Sequence, residues 1–280
     1  MGNFFTNPLI SKELRERFRT PKTSWTVGLY LFVCGAIIIG FMKIIANEQT
    51  DLLGSGDRLL VIMAAVHYAL ICFIAPALAA GAISGERERQ TLNILLTTHL
   101  SPRRIVLSKM LTSILFMFLL LIASMPLYSF IFLYGGVAPM QLVKLFLFFT
   151  VNIIFFGSLG IFCSTWIKRT SISTITAYGI GFFFVVGTGV ILFFLMNFIT
   201  YWITDTRMTP MDYPILEWIA SINPCIVGLN ILEKNLMGES WTIFSQYYWI
   251  IFTAFYLVLS VILLCLAAYI LKPVRRPWSE

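Results

Sequence analysis

The chain has 280 residues, 59% of them apolar and 12% charged, about half the charged share of a soluble domain. Twenty Lys and Arg against thirteen Asp and Glu leave a formal charge of +7, and no charged residue occurs in 59–85, 110–143, 170–204 or 240–271. Each of those runs exceeds the roughly 20 apolar residues that a bilayer-spanning helix needs. A soluble enzyme, a secreted disulfide scaffold and a disordered chain are thereby excluded in favour of an all-α polytopic membrane protein.

In chain order, residues 1–22 carry the first predicted element, a short amphipathic helix from Asn7 to Pro21 lying on the membrane surface. Asn7 suits an N-cap and Pro8 the first helical position. Ile10, Leu14 and Phe18 recur every four residues as an apolar stripe. Lys12, Glu13, Arg15, Glu16 and Arg19 fill the other face. Such a helix buries one face at the headgroups and offers the other to anionic lipid or a partner, so it reads either as an anchor or as a lever. The first span follows at Trp25–Ile45. Its apolar run is longer than the core of a signal peptide and lacks a small-x-small cleavage site behind it. The second span is Leu59–Ile83, with His67 inside it as a buried, hydrogen-bonded histidine.

Residues 84–104 are more than a connection. Alternating charge in Glu86, Arg87, Glu88 and Arg89 precedes a short helix in which Leu92, Leu95 and Leu96 share a face with His99. Ser101 then caps a new helix with Pro102 at its first position. A leucine face beside so much charge calls for a socket in another protein, unless it rests on the bilayer. Beyond it lie a third span, Ile105–Leu133, and a fourth, Leu142–Ile167. The fifth, Ile172–Ile203, belongs to a charge-free run of thirty-five residues. As helix that run would reach roughly 50 Å at 1.5 Å per residue, against a hydrocarbon core of roughly 30 Å. It therefore tilts or breaks, and Gly179, Gly181, Gly187 and Gly189 mark places to bend or to pack closely.

Residues 204–246 contain an apolar stretch, Ile215–Leu232, that carries Glu217 and is interrupted by Asn223-Pro224. It is expected as two short helices at the outer face, with Trp218 and Trp241 at the interface, packed on the fifth and sixth spans as a lid. The sixth span is Tyr247–Leu271. Alternate loops hold fifteen of the twenty basic residues, which places both termini in the cytoplasm by the positive-inside rule. Cys34, Cys72, Cys163, Cys225 and Cys265 form no C-x-x-C and lie at no metal-ligand spacing from His67 or His99. There is no G-x-x-x-x-G-K-[ST], H-E-x-x-H or G-x-S-x-G. The chain is thus expected to bind no ATP, cofactor or metal of its own, and nothing in it points to nucleic acid.

The run Ser84-Gly85-Glu86-Arg87-Glu88-Arg89-Gln90-Thr91-Leu92-Asn93-Ile94-Leu95-Leu96-Thr97-Thr98, followed by Ser101 to Arg104, resembles the loop between spans two and three of the permease subunit of type-2 ABC exporters. The order of parts matches over the whole chain, and Asn223-Pro224 resembles the turn of that family's broken hairpin. His99 departs from the pattern, where a proline is more usual. The resemblance implies a single transmembrane domain over 1–280, with Thr91–Thr98 as a coupling helix on a separate cytoplasmic ATPase and Glu86 to Arg89 at its rim. It also implies that ATP and Mg²⁺ are held by that ATPase, that a second permease chain (the same or a close paralogue) completes the path, and that the complex sits in a bacterial plasma membrane. The cargo would be amphipathic: peptide-, drug- or lipid-like. Two other readings fit the spans, a lipid-modifying membrane enzyme and a scaffold that transports nothing. The first would need paired carboxylates or histidine at a membrane face, and the clustered acids here alternate with arginine.

Overall fold

A computed structural model describes residues 21–47, 56–92, 101–132, 137–199, 201, 214–232 and 242–271. The amino-terminal amphipathic stretch with Ile10, Leu14, Arg15 and Phe18 lies outside them, as do Leu95, Leu96, His99 and Trp241. The described residues are all helical or connecting. In order they form α1 (Pro21–Asn47), α2 (Gly56–Ala80), α3 (Ser84–Glu88), α4 (Pro102–Ala123), α5 (Met125–Phe132), α6 (Pro139–Trp166) and α7 (Thr170–Phe182). A π-helical turn, Phe183–Gly187, then leads into α8 (Thr188–Phe198), followed by α9 (Pro214–Ile222), α10 (Pro224–Leu232) and α11 (Thr242–Ile270). Six of the helical runs are long and apolar enough to cross a bilayer: α1, α2, α4 with α5, α6, α7 with α8, and α11. The protein is an integral membrane protein built as a helical bundle.

α6 is the centre of the bundle. It is apolar on all sides, the pattern of a helix buried on every face, and Phe148, Phe149, Ile153, Phe155, Phe156, Leu159 and Ile161 are all buried. Its small residues let neighbours approach. A Cβ added at Gly160 would stand 2.6 Å from Ala79 Cβ of α2 and 3.0 Å from the Ala80 nitrogen. Backbone contact of this kind is how membrane helices associate without a hydrophobic force between them. On another side, an aromatic row joins α6 to α11 and the π turn. Phe148 and Phe252 lie 5.4 Å apart, Phe252 and Tyr256 4.7 Å, Tyr256 and Phe155 4.7 Å, and Phe155 and Phe184 5.2 Å.

α1 lies at the edge of the bundle, with Trp25, Leu29 and Phe32 exposed to the surroundings. It is held through Tyr30, Cys34 and Ile38 and by a buried hydrogen bond of 2.8 Å between Tyr30 Oη and His67 Nε2. His67 also stacks on Phe149 at 4.9 Å. This is the satisfied histidine expected of it.

The third span forms one apolar crossing, Pro102–Ile131, as expected, with a one-residue irregularity at Ser124 between α4 and α5. Pro126 is the reason: it has no N–H to donate, and its ring clashes with the carbonyl four residues back. Ser124 Oγ donates to Leu121 O at 2.7 Å beside this turn. The fifth span is interrupted by the π turn, and α9 and α10 are bent by 87° about Asn223, so they do not form one straight crossing.

Candidate functional site

The chain leaves α2 through the turn Gly81–Ile83, in which small residues make room for the connection, and enters the five-residue helix α3. This short helix gathers the ends of four spans. Ser164 Oγ, near the end of α6, accepts the backbone N–H groups of Ile83 and Ser84, both at 2.9 Å. The last-turn carbonyl of α2, Ala80 O, accepts the hydroxyls of Ser84 and of Ser173 from α7, each at 2.9 Å. These are the groups a helix end leaves without intrahelical partners, satisfied here by side chains from neighbouring spans.

The charged run adds three longer reaches. Glu86 Oε1 pairs with Lys109 Nζ of α4 at 3.0 Å, and its other oxygen accepts the Thr91 hydroxyl. Burial alone would raise the Glu86 pKa. The Thr91 hydroxyl and the Lys109 ammonium outweigh that and hold it below the usual carboxylate value. Arg87 Nη2 donates to Thr165 O, near the end of α6, at 3.3 Å. Glu88 caps α7: Oε1 accepts the Thr170 N–H at 2.8 Å and Oε2 the Thr170 hydroxyl at 2.9 Å. Arg169 holds the N-cap position itself but supplies no side-chain cap. A carboxylate here also meets the positive end of the helix dipole, and the two Thr170 donors, backbone first, lower its pKa.

Of the residues expected at a partner's rim, then, Glu86, Arg87 and Glu88 are engaged within this chain, as is Thr91 of the expected docking helix, while Arg89 is exposed. Gln90 turns the chain between them at a φ of 59°, a left-handed conformation more often given to Gly or Asn at a helix end. Leu92 itself does not lie on the expected free leucine face. It is 5% exposed and belongs to the main core, because it follows a turn that folds the chain back over the spans. Ser101 has the extended backbone of an N-cap and Pro102 the first helical position, but the Ser101 hydroxyl makes no capping bond.

A second constellation sits at the other end of the bundle. Asn223 joins α9 to α10 and is 1% exposed. Its Oδ1 accepts the Ile226 N–H at 3.0 Å, capping α10, with Pro224 at the first helical position. Its Nδ2 donates to Val185 O at 3.1 Å and to Thr188 Oγ1 at 2.7 Å. One side chain thus starts a helix and clasps the π turn of the fifth span. Tyr256 Oη of α11 donates to Ile222 O at 3.0 Å, securing the end of α9.

The pair packs more widely than expected, with α9 on α8 and α11, and α10 on α2, α6 and α11. Trp218 is half exposed, but Glu217 is only 5% exposed despite its charge. Beneath α10 lies an apolar cavity of about 200 Å³, walled by Ala64, Tyr68, Phe148, Cys225 and Leu229. Among the described residues no three His, Cys, Asp or Glu side chains come together as metal ligands.

The Asn223-Pro224 signal was visible in the sequence as a break. Its bond to the π turn was not, since nothing local marks Val185. Lys109, Ser164, Thr170 and Ser173 went unremarked as site residues because each lies on a span far from α3 in sequence. The one available hint was a hydroxyl or cation at the end of an apolar run.

A family model described as ABC-2 family transporter protein matches residues 8–273, nearly the full length, and the chain belongs to that family. Comparison with curated proteins found no match.

Proposed function

For this ABC-2 family transporter protein, a membrane transport subunit, we propose that it forms half of an export path and is driven by a separate cytoplasmic ATPase. The chain carries no P-loop of its own, and a family that transports without one takes its energy from a partner. In this reading Thr91–Thr98 docks on the ATPase through Leu95 and Leu96, with Arg89, Thr91 and His99 at the rim. The partner holds ATP and Mg²⁺, and a second permease chain completes the path.

The single observation that carries the reading is the way α3 gathers spans two to five. A push on the docking segment reaches α4 through Glu86–Lys109, α6 through Arg87 and Ser164, and α7 through Glu88, with Ser173 tying α7 to the end of α2. α7 runs straight into the π turn that Asn223 clasps. π turns recur at functional sites inside α-helices, and this one lies where a shift of the fifth span would change the seating of α9 and α10. In this role α9 and α10, with Trp218, Asn223 and Pro224, close the outer end. The amphipathic stretch with Ile10, Leu14, Arg15 and Phe18 lies at the cytoplasmic surface. The apolar cavity beneath α10 suits a peptide-, drug- or lipid-like cargo better than an ion.

The test is purification of the tagged full chain from its native membrane in mild detergent. A nucleotide-binding chain carrying a P-loop should travel with it at a fixed ratio. Its absence across several detergents and lipid supplements contradicts the proposal.

A further inference from the structure

Between the third and sixth spans, at the end of the bundle that carries α3, runs a groove of about 350 Å³. One wall is the start of α4, with Val106 and Leu107. The other is the last turns of α11, with Val261, Leu264 and Tyr269. Arg103 stands at its rim. It is exposed and makes no ion pair with a described residue. No acidic residue lies in the first turn of α4. In sequence, Lys272, Arg275 and Arg276 follow the end of α11 with no acid before Glu280.

We infer that this groove seats one anionic phospholipid, an acyl chain lying between α4 and α11 and the phosphate meeting Arg103. The occupant follows from the distribution of polarity. The walls are aliphatic and aromatic and belong to two membrane-crossing helices, a lining that suits an acyl chain. The single charged lining residue, Arg103, lies in the first turn of α4, at the end of its span. A zwitterionic lipid would bring a cation of its own beside a guanidinium that has no ion pair among the described residues, whereas an anionic headgroup brings a counter-charge. Basic pockets between transmembrane helices bind anionic headgroups on this principle, and guanidinium suits phosphate by its fork of donors. Arg104 is the next residue and also exposed, but it does not line the groove. The seat is therefore distinct from a general basic surface.

The inference is independent of transport and of any ATPase, and it is tested on the purified full chain by native mass spectrometry with phosphatidylglycerol and phosphatidylcholine. The wild type should retain one phosphatidylglycerol in preference to phosphatidylcholine. Arg103→Gln should cut that retention about five-fold, the effect of the ~1 kcal/mol that one basic residue contributes beside an anionic surface. Arg104→Gln should leave it unchanged. Val261→Trp adds bulk at a residue already exposed to the groove, so it should fill the apolar part and also lower retention without touching the charge. Equal loss for Arg103→Gln and Arg104→Gln would show an unspecific basic surface and overturn the seat. Undiminished retention in Val261→Trp would show a headgroup contact alone and overturn it too. So would a disulfide between two copies of Val261→Cys formed with no lipid bound, which would give the groove to a second chain.

Discussion

Asn223 has both ends of its amide committed, and the partners fix its orientation. The Ile226 N–H can only donate and Val185 O can only accept. Asn223→Ala should therefore cost about 1–3 kcal/mol, the usual penalty for leaving a buried polar partner unsatisfied. Asn223→Asp should be at least as damaging at neutral pH. The carboxylate could still cap α10 but would set a second acceptor against Val185 O. Thermal unfolding in detergent measures both, and wild-type stability in the aspartate variant would remove the clasp from the account. Glu88 offers a gentler probe, because it is on the surface. In Glu88→Ala the first turn of α7 loses its cap, so amide exchange at Thr170 should quicken while exchange in α6 stays slow. The folded-state pKa of Glu88 is depressed, so the cap is fully present above the ordinary glutamate value, about 4.3, and is lost only as pH falls through the lower, folded-state value. Exchange at Thr170 in the wild type should accordingly be flat from neutral pH down to the ordinary value, once intrinsic chemistry is divided out, and should rise below it.

At the scale of elements, the close approach of α2 and α6 is the contact most sensitive to a single atom. Gly160→Ala forces a Cβ to 2.6 Å from Ala79 Cβ and towards the Ala80 backbone, so it should destabilise by the ~1–3 kcal/mol typical of overpacking. Ala79→Gly should relieve only part of it, because the Ala80 nitrogen remains 3.0 Å away. Gly179→Ala is the contrast, since nothing lies within 4 Å of its Cβ position. It should be neutral or slightly stabilising. Such differences explain what could be read ahead of the structure and what could not. Hydropathy and breakers together locate six spans, and Asn223-Pro224 marks a break, because bilayer thickness and proline act locally. The irregular turn at Ser124 was also written in Pro126, but the apolar run around it hides it from any reading by hydropathy. The π turn and the engagement of α3 with four spans depend on residues up to 82 positions apart, and no local pattern carries them. Leu92 shows the same limit. Its helical spacing with Leu95 and Leu96 assigns it to one face, yet the turn at Gln90 turns it into this chain's own core.

For the whole molecule, the proposed orientation and the proposed docking can be separated. With fifteen of twenty bases on alternate loops, alkaline phosphatase fused after Glu280 should be inactive, and the same enzyme inserted near Asp51 active. The opposite pattern would invert every assignment of inner and outer face. Docking is the central claim, and Leu95 tests it most directly. Glu86, Arg87 and Glu88 are held within the chain and Leu92 is buried in it, so the proposed docking falls to the apolar residues that follow, Leu95 and Leu96 beside Ile94. An unpaired carboxylate in a protein socket costs several kcal/mol, enough to lower affinity by orders of magnitude. The measurement is the amount of ATPase recovered per permease chain when Leu95→Asp and wild type are purified side by side from membranes containing equal amounts of each. The account predicts normal insertion with the ATPase lost from the variant. Recovery of the ATPase at the wild-type ratio would contradict it, and would place those leucines on lipid instead.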